Sequence, residues 1–190
     1  CHDNYATTFD TYLSMLSYHQ SLSIGSNWHR CKVKDLHVVP LDPSSTLYGN
    51  PAAFAAGTSA DAVEDTVQNL GLAIEVDGQI YPVRSTAYKT LLDRAKIGGT
   101  ALPKLSRKEL AGVLNACLAV HNNEALLLIR EEKVSAAHSG DEKDYSVLPM
   151  DELLATLENK METRFPGYHF ESGYRDHSFT SGSWTFPAQK

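Results

Sequence analysis

The sequence predicts an α+β fold, with antiparallel strands and hairpins packed against several amphipathic helices. Three observations carry that prediction. Apolar residues recur at three- and four-residue steps in separate segments, as buried helix faces require. Asp77-Gly78 sits between two β-rich runs, the strongest short-range hairpin signal. From Tyr168 to Phe186 aromatic residues alternate with small and polar ones under glycine punctuation, as antiparallel strands do. The chain has 190 residues, 42% hydrophobic and 21% charged, enough to bury a core. We expect one α+β domain over 1–190: an N-terminal helix, strand and loop over 1–57 and the main body over 58–190. The chain starts without a Met and stops just after a strand, so it reads as the N-terminal part of a longer protein.

The elements follow in order. Residues 1–24 read as a helix whose stripe is Tyr5, Phe9, Tyr12, Leu13, Leu16 and His19, stopped at Gly25. Trp28 to Val39 reads as a strand that places Arg30, Lys32 and Lys34 on one face. Pro40 to Pro51 is a loop. Thr58 or Ser59 caps the next helix, Val63, Val67 and Leu70 form its buried stripe, and Gly71 suits its C-terminal cap. The Asp77-Gly78 hairpin ends at Pro82, which fits a strand end or sheet edge. Ser85 caps a helix with Ala87, Tyr88, Leu91, Leu92 and Ala95 inward, stopped by Gly98-Gly99. Ser106 and Glu109 form a capping box for a helix buried through Leu110, Val113, Leu114, Cys117 and Leu118. Glu124 to Arg130 is a strand, and the charged turn Glu131-Glu132-Lys133 leads into another at Val134 to His138. Pro149 opens a helix with Leu153, Leu154, Leu157 and Met161 inward.

Several chemistries are absent from the sequence. No His or Cys pair stands at metal-ligand spacing, and Cys1, Cys31 and Cys117 suit neither a disulfide framework nor a zinc site. Cys117 reads as a small core hydrophobe, and Cys1 as a nucleophile would need a processing step. Gly98-Gly99-Thr100 and Ser181-Gly182-Ser183 lack the lysine and spacing of a phosphate loop. No Gly-x-Ser-x-Gly elbow occurs. His169, Glu171, Asp176 and His177 are the one set that a hairpin could gather for acid–base work, and solvated hairpin surfaces carry such residues as well. The longest apolar run, Ala125 to Ile129, is far too short to cross a bilayer.

Charge is the remaining signal. The protein carries 17 Lys and Arg against 23 Asp and Glu, yet residues 84–108 hold seven basic residues and one acid. Those seven are Arg84, Lys89, Arg94, Lys96, Lys104, Arg107 and Lys108. Gathered on an acidic protein, they suit phosphate contacts, with Tyr81 and Tyr88 beside them to stack on bases. Pairing with Asp and Glu elsewhere in the fold is the plainer alternative.

Four segments in order resemble the large phage/plasmid-like family of unknown function found in bacteriophages, plasmids and integrated elements. They are Ser85-Thr-Ala-Tyr-Lys-Thr-Leu-Leu92, Leu105-Ser-Arg-Lys-Glu-Leu-Ala-Gly-Val-Leu-Asn115, Ala125-Leu-Leu-Leu-Ile-Arg130 and Asp144-Tyr-Ser-Val-Leu-Pro-Met-Asp-Glu-Leu-Leu154. The resemblance covers residues 80–187. Val134-Ser-Ala-Ala-His-Ser-Gly140 lacks an arginine that the family places in this strand, and the following turn reads Lys143-Asp-Tyr-Ser146. The resemblance implies a mobile-element origin and carries no catalytic residue. In outline it is also similar to phage single-strand annealing proteins, an analogy of fold alone. The expectation is therefore a non-enzymatic protein of the bacterial cytoplasm that handles nucleic acid. Single-stranded nucleic acid is the expected partner and a homo-oligomer a second option, with no membrane and no cofactor. The alternative is a protein–protein interaction or structural module of a mobile element.

Overall fold

The computed structural model describes residues 2–141 and 147–188. Cys1 and the Lys143-Asp-Tyr-Ser146 turn lie outside the described residues. The fold is α+β, as expected, with five α-helices and three small antiparallel sheets among the described residues. Contacts divide the chain into two compact units, at boundaries other than residue 57. Unit 1 comprises residues 1–3 and 27–146, and unit 2 residues 4–26 and 147–190.

In unit 1, β2 (Ser26–Lys32) joins β6 (Glu124–Arg130) and β7 (Lys133–Ser139) in one sheet. A second sheet has the order β3 (His37–Pro40), β4 (Leu72–Val76), β5 (Gln79–Pro82). Just beyond Pro82, Val83 bridges in parallel to Val134, linking the end of β5 to β7. The Asp77-Gly78 turn adopts positive φ at both residues, +49° and +73°, the geometry that turn sequence favours. The expected strand from Trp28 to Val39 is interrupted. Val33–Asp35 form a short 3-10 turn, so Lys34 leaves the face that Arg30 and Lys32 share.

Two helices cover the inner face. In α3 (Ala87–Ala95), Ala87, Leu91 and Ala95 are buried, and in α4 (Arg107–Leu118), Leu110, Ala111, Leu114 and Leu118. They share one core with Leu72, Ile74 and Val76 of β4 and Leu127 and Ile129 of β6. The other face of the β3–β4–β5 sheet meets α2 (Ala60–Gln68), where Val63 and Val67 pack with Leu41, Phe54 and Ala73. Residue alternation along β4 divides its side chains between these two cores.

The capping box forms as expected: the Glu109 backbone amide donates to Ser106 Oγ, and Glu109 Oε2 accepts from the Ser106 amide at 2.8 Å. Two caps differ from expectation. Ser85 makes no cap, because its hydroxyl is turned to Asp3 instead. α3 is ended not by the glycines but by Lys96, which takes the left-handed conformation at φ +55°. Cys117 is half-buried against the core. Asn115 does what periodicity cannot announce. Its side-chain oxygen accepts from the Val38 amide at 2.6 Å and its nitrogen donates to the Val38 carbonyl at 2.8 Å. The amide group thereby substitutes for a neighbouring strand along the edge of β3, where a buried backbone pair would otherwise go unmatched.

Unit 2 pairs β1 (Ala6–Phe9) with β8 (His169–Asp176), and β8 with β9 (Thr180–Thr185), all antiparallel. Residues 6–9 are therefore strand, and the helix expected over 1–24 is shortened to α1 (Tyr12–Ile24), capped by Thr11. Its buried residues are Met15, His19 and Leu22, while Leu13 is 71% exposed. The strand takes Phe9 out of the helical stripe and resets the phase. α5 (Met150–Arg164) follows Pro149, which is its cap residue, and buries Leu154 and Met161. Phe9, Met15, Leu154 and Phe170 form the small core of this unit. A Cβ at Gly173 would collide with Met15 Sδ, so any larger residue there would push Met15 out of its place between α1 and β8.

Candidate functional site

The basic window folds into the stretch from the end of β5 through α3 to the first turn of α4, and most of its basic residues fall into two populations. Lys89, Lys96, Lys104 and Lys108 are exposed. Among the described residues none of these four has an ion-pair partner within 4.0 Å. Their exposure follows from local geometry. Ala87, Leu91 and Ala95 hold the inner face of α3, so Lys89 and Lys96, with Asp93 between them, fall on the outer side. Lys104 closes a 3-10 turn and Lys108 lies in the first turn of α4, whose stripe begins at Leu110.

Arg84 and Arg107 belong to the second population. Arg84 is fully buried, which corrects the expectation that it contacts phosphate at the surface. Its guanidinium donates to Ser135 Oγ at 3.1 Å, to the His2 carbonyl at 3.0 Å and to the Arg130 carbonyl at 3.4 Å. It also lies 3.5 Å from a Glu131 carboxylate oxygen and 3.8 Å from Asp3 Oδ1. A guanidinium can be buried only when its five donors find acceptors, and this site supplies them. Arg107 is half-buried and donates to the carbonyls of Leu41, Val67 and Asn69. Two of those carbonyls belong to the C-terminal end of α2, where unpaired acceptors gather and a cation is favoured. Gly71, at φ +66°, lies under the same guanidinium, and any Cβ there would overlap it.

The remaining candidates are intermediate. Arg94 is half-buried and close enough to His138 to help lower its pKa, after burial as the main cause. Tyr81 and Tyr88 are half-buried and pack against the unit 1 core, and burial raises the Tyr88 phenol above its usual range.

The hairpin set does not converge. Asp176 accepts from the Ser178 and Phe179 amides at 2.8 Å each, which lowers its pKa and fixes the β8–β9 turn. Glu171 accepts from Thr185 Oγ1 at 2.9 Å, and the His177 ring lies 5.8 Å from that of Tyr5. His169 sits opposite Thr185 at the far end of β8. Among the described residues no group of three or more His, Cys, Asp or Glu could hold a metal ion. Among the described residues, too, no helix is long and apolar enough to cross a membrane. The Cys31 thiol is pushed up to about 11, chiefly by burial and then by Asp77, Asp35 and Glu124.

Lys133 and Asp3 are what sequence reasoning missed. Lys133, expected in the charged turn before a strand, is fully buried, with Nζ 2.8 Å from Asp3 Oδ1 and 2.5 Å from Asp65 Oδ2. The whole turn is used internally: Glu131 faces Arg84, and Glu132 accepts from the Ser59 amide at 2.9 Å and its hydroxyl at 2.6 Å. Both glutamates take positive φ, +50° and +73°, which sequence does not display. No family model, curated protein or solved structure matches this chain.

Proposed function

We propose that this is a non-enzymatic protein of phage or plasmid origin that handles single-stranded nucleic acid in a bacterial cytoplasm. The observation that supports the reading is the run of four exposed lysines without ion-pair partners among the described residues, Lys89, Lys96, Lys104 and Lys108, on a protein of net charge −6. Cations left unpaired amid an acidic surface are free to exchange counterions with a phosphate backbone. The contact set is smaller than the basic window, because Arg84 and Arg107 serve the fold. Binding of this kind is independent of base sequence and steeply weakened by salt.

Fluorescence anisotropy of labelled single- and double-stranded oligonucleotides, at low and moderate salt, tests it. Expected is binding that favours single strands, falls with salt and disappears when the four lysines become glutamate. No binding at about 50 mM salt overturns the reading. An interaction module is the second reading, and unit 2 gives it a specific footing. Phe165 and Phe186 are 45% and 51% exposed, their ring centroids 5.2 Å apart, and they line a cavity of about 390 Å³ with Arg164 and Pro166. Exposed aromatic pairs of this kind are typical of surfaces that bind other proteins.

A further inference from the structure

His2 and Asp3 belong to unit 1, together with the residues that surround them. The Asp3 carboxylate is only 2% exposed. Its Oδ2 accepts from the Ser85 amide at 2.8 Å and from Ser85 Oγ at 2.6 Å. Its Oδ1 accepts from Lys133 Nζ at 2.8 Å and lies 3.8 Å from Arg84 Nη1. A backbone amide leading into a helix, a hydroxyl, an ammonium and a guanidinium thus converge on one carboxylate. That is the donor chemistry with which proteins hold free oxyanions.

The donors are positioned by groups other than Asp3. The Arg84 amide donates to the Val134 carbonyl at 2.9 Å, and its guanidinium is held by Ser135, Glu131 and the Arg130 and His2 carbonyls. Lys133 is held by Asp65. Ser85 follows directly on the Val83–Val134 bridge. The cradle is therefore part of the β5–β7 junction, and Asp3 enters it from a chain segment far away in sequence.

We propose that this cradle is an oxyanion-binding site whose internal occupant is Asp3, and that a small monocarboxylate fills it when the Asp3 side chain is removed. The class of ligand follows from charge. Without Asp3, Arg84 and Lys133 are balanced by Asp65 and Glu131, so one negative charge restores the present state and a phosphate dianion would overshoot it. The inference is independent of the lysine face, because none of its residues is among the four exposed lysines.

The test is thermal unfolding of the full chain carrying Asp3→Ala, in sodium acetate, sodium phosphate and sodium chloride at matched ionic strength. D3A unfolds several degrees below the unmodified protein in chloride. Acetate then raises its midpoint progressively with concentration, as a ligand that binds only the folded state must. The unmodified protein, whose cradle is filled, shows equal midpoints in acetate and chloride. So does Asp3→Ala/Lys133→Met, which lacks the ammonium. Coincident acetate and chloride curves for D3A overturn the proposal, as does an equal acetate response in the unmodified protein or the double variant. Stronger rescue by phosphate than by acetate overturns the monocarboxylate assignment. If D3A is insoluble, refolding yield becomes the readout, and a yield that acetate does not raise above chloride overturns the site.

Discussion

Two regions of unit 1 hold cations and use them in opposite ways. Beneath the start of α3, Arg84 and Lys133 are fully buried among Asp3, Asp65 and Glu131. From the outer face of α3 to the first turn of α4, four lysines stand exposed, without ion-pair partners among the described residues. A buried cation is tolerated only if its charge is matched and every donor is accepted, so the first region is built around its cations. An exposed lysine is satisfied by water and constrains nothing, so the second region folds without regard to its charge. Charge density along the sequence cannot distinguish the two, and only the partners do.

The largest effect should come from removing one buried partner. Lys133→Ala leaves Asp3 and Asp65 facing each other without the ammonium, and should cost about 3–5 kcal/mol in urea unfolding. A cost below about 1 kcal/mol would mean that water reaches the cluster and that the contrast between the regions is false. Next is Arg107→Ala, which strips donors from carbonyls at the end of α2 and should cost about 1–3 kcal/mol. Gly71→Ala should fall in a similar range, since it both strains a positive φ and displaces that guanidinium. Arg107 thereby groups with the buried region although it lies within the same basic stretch as Lys108.

Acid gives a smaller, graded test. Burial works against the charged form of Asp65, but the Lys133 hydrogen bond and charge, with the Asp3 amide and His2, outweigh it and lower its pKa. A carboxylate with a folded pKa below its unfolded one stabilises the protein above the unfolded value, about 4. That contribution is lost as pH falls through the folded value. The urea midpoint should therefore drop below about pH 4, and Asp65→Asn should flatten the drop while lowering the plateau at neutral pH. An unchanged slope in D65N would remove Asp65 from the cluster's charge balance.

How much of this was legible depends on the range of the interaction. The capping box, the Asp77-Gly78 hairpin and the β6 strand are local, and residue order alone announces them. The strand at residues 6–9 is not local, because its partner β8 lies about 170 residues further on and only that pairing overrides the apparent helical stripe. The same holds for the candidate site. Exposure of Lys89 and Lys96 follows from the apolar phase of α3, which the sequence displays. Burial of Arg84 and Lys133 depends on Asp3 and Asp65, which arrive from two other segments. A run of Glu131, Glu132 and Lys133 looks like a solvated turn until each side chain is seen to meet a different distant partner.

The smallest effect on stability, and the sharpest on function, belongs to the lysine face. Lys89→Glu, Lys96→Glu, Lys104→Glu and Lys108→Glu should each change unfolding free energy by no more than about 0.5 kcal/mol, because exposed side chains outside special geometries rarely do more. Lys96 is the position to watch, since its left-handed backbone at φ +55° makes it a helix terminator as well as a cation. Lys96→Gly should stabilise slightly while removing the charge, which separates the two roles. If the quadruple glutamate variant keeps its urea midpoint and loses oligonucleotide binding, the lysines are a working surface and Arg84 and Arg107 a structural one. If the unfolding free energy falls by several kcal/mol, the lysines are bound into the fold after all, and the division between the two regions fails.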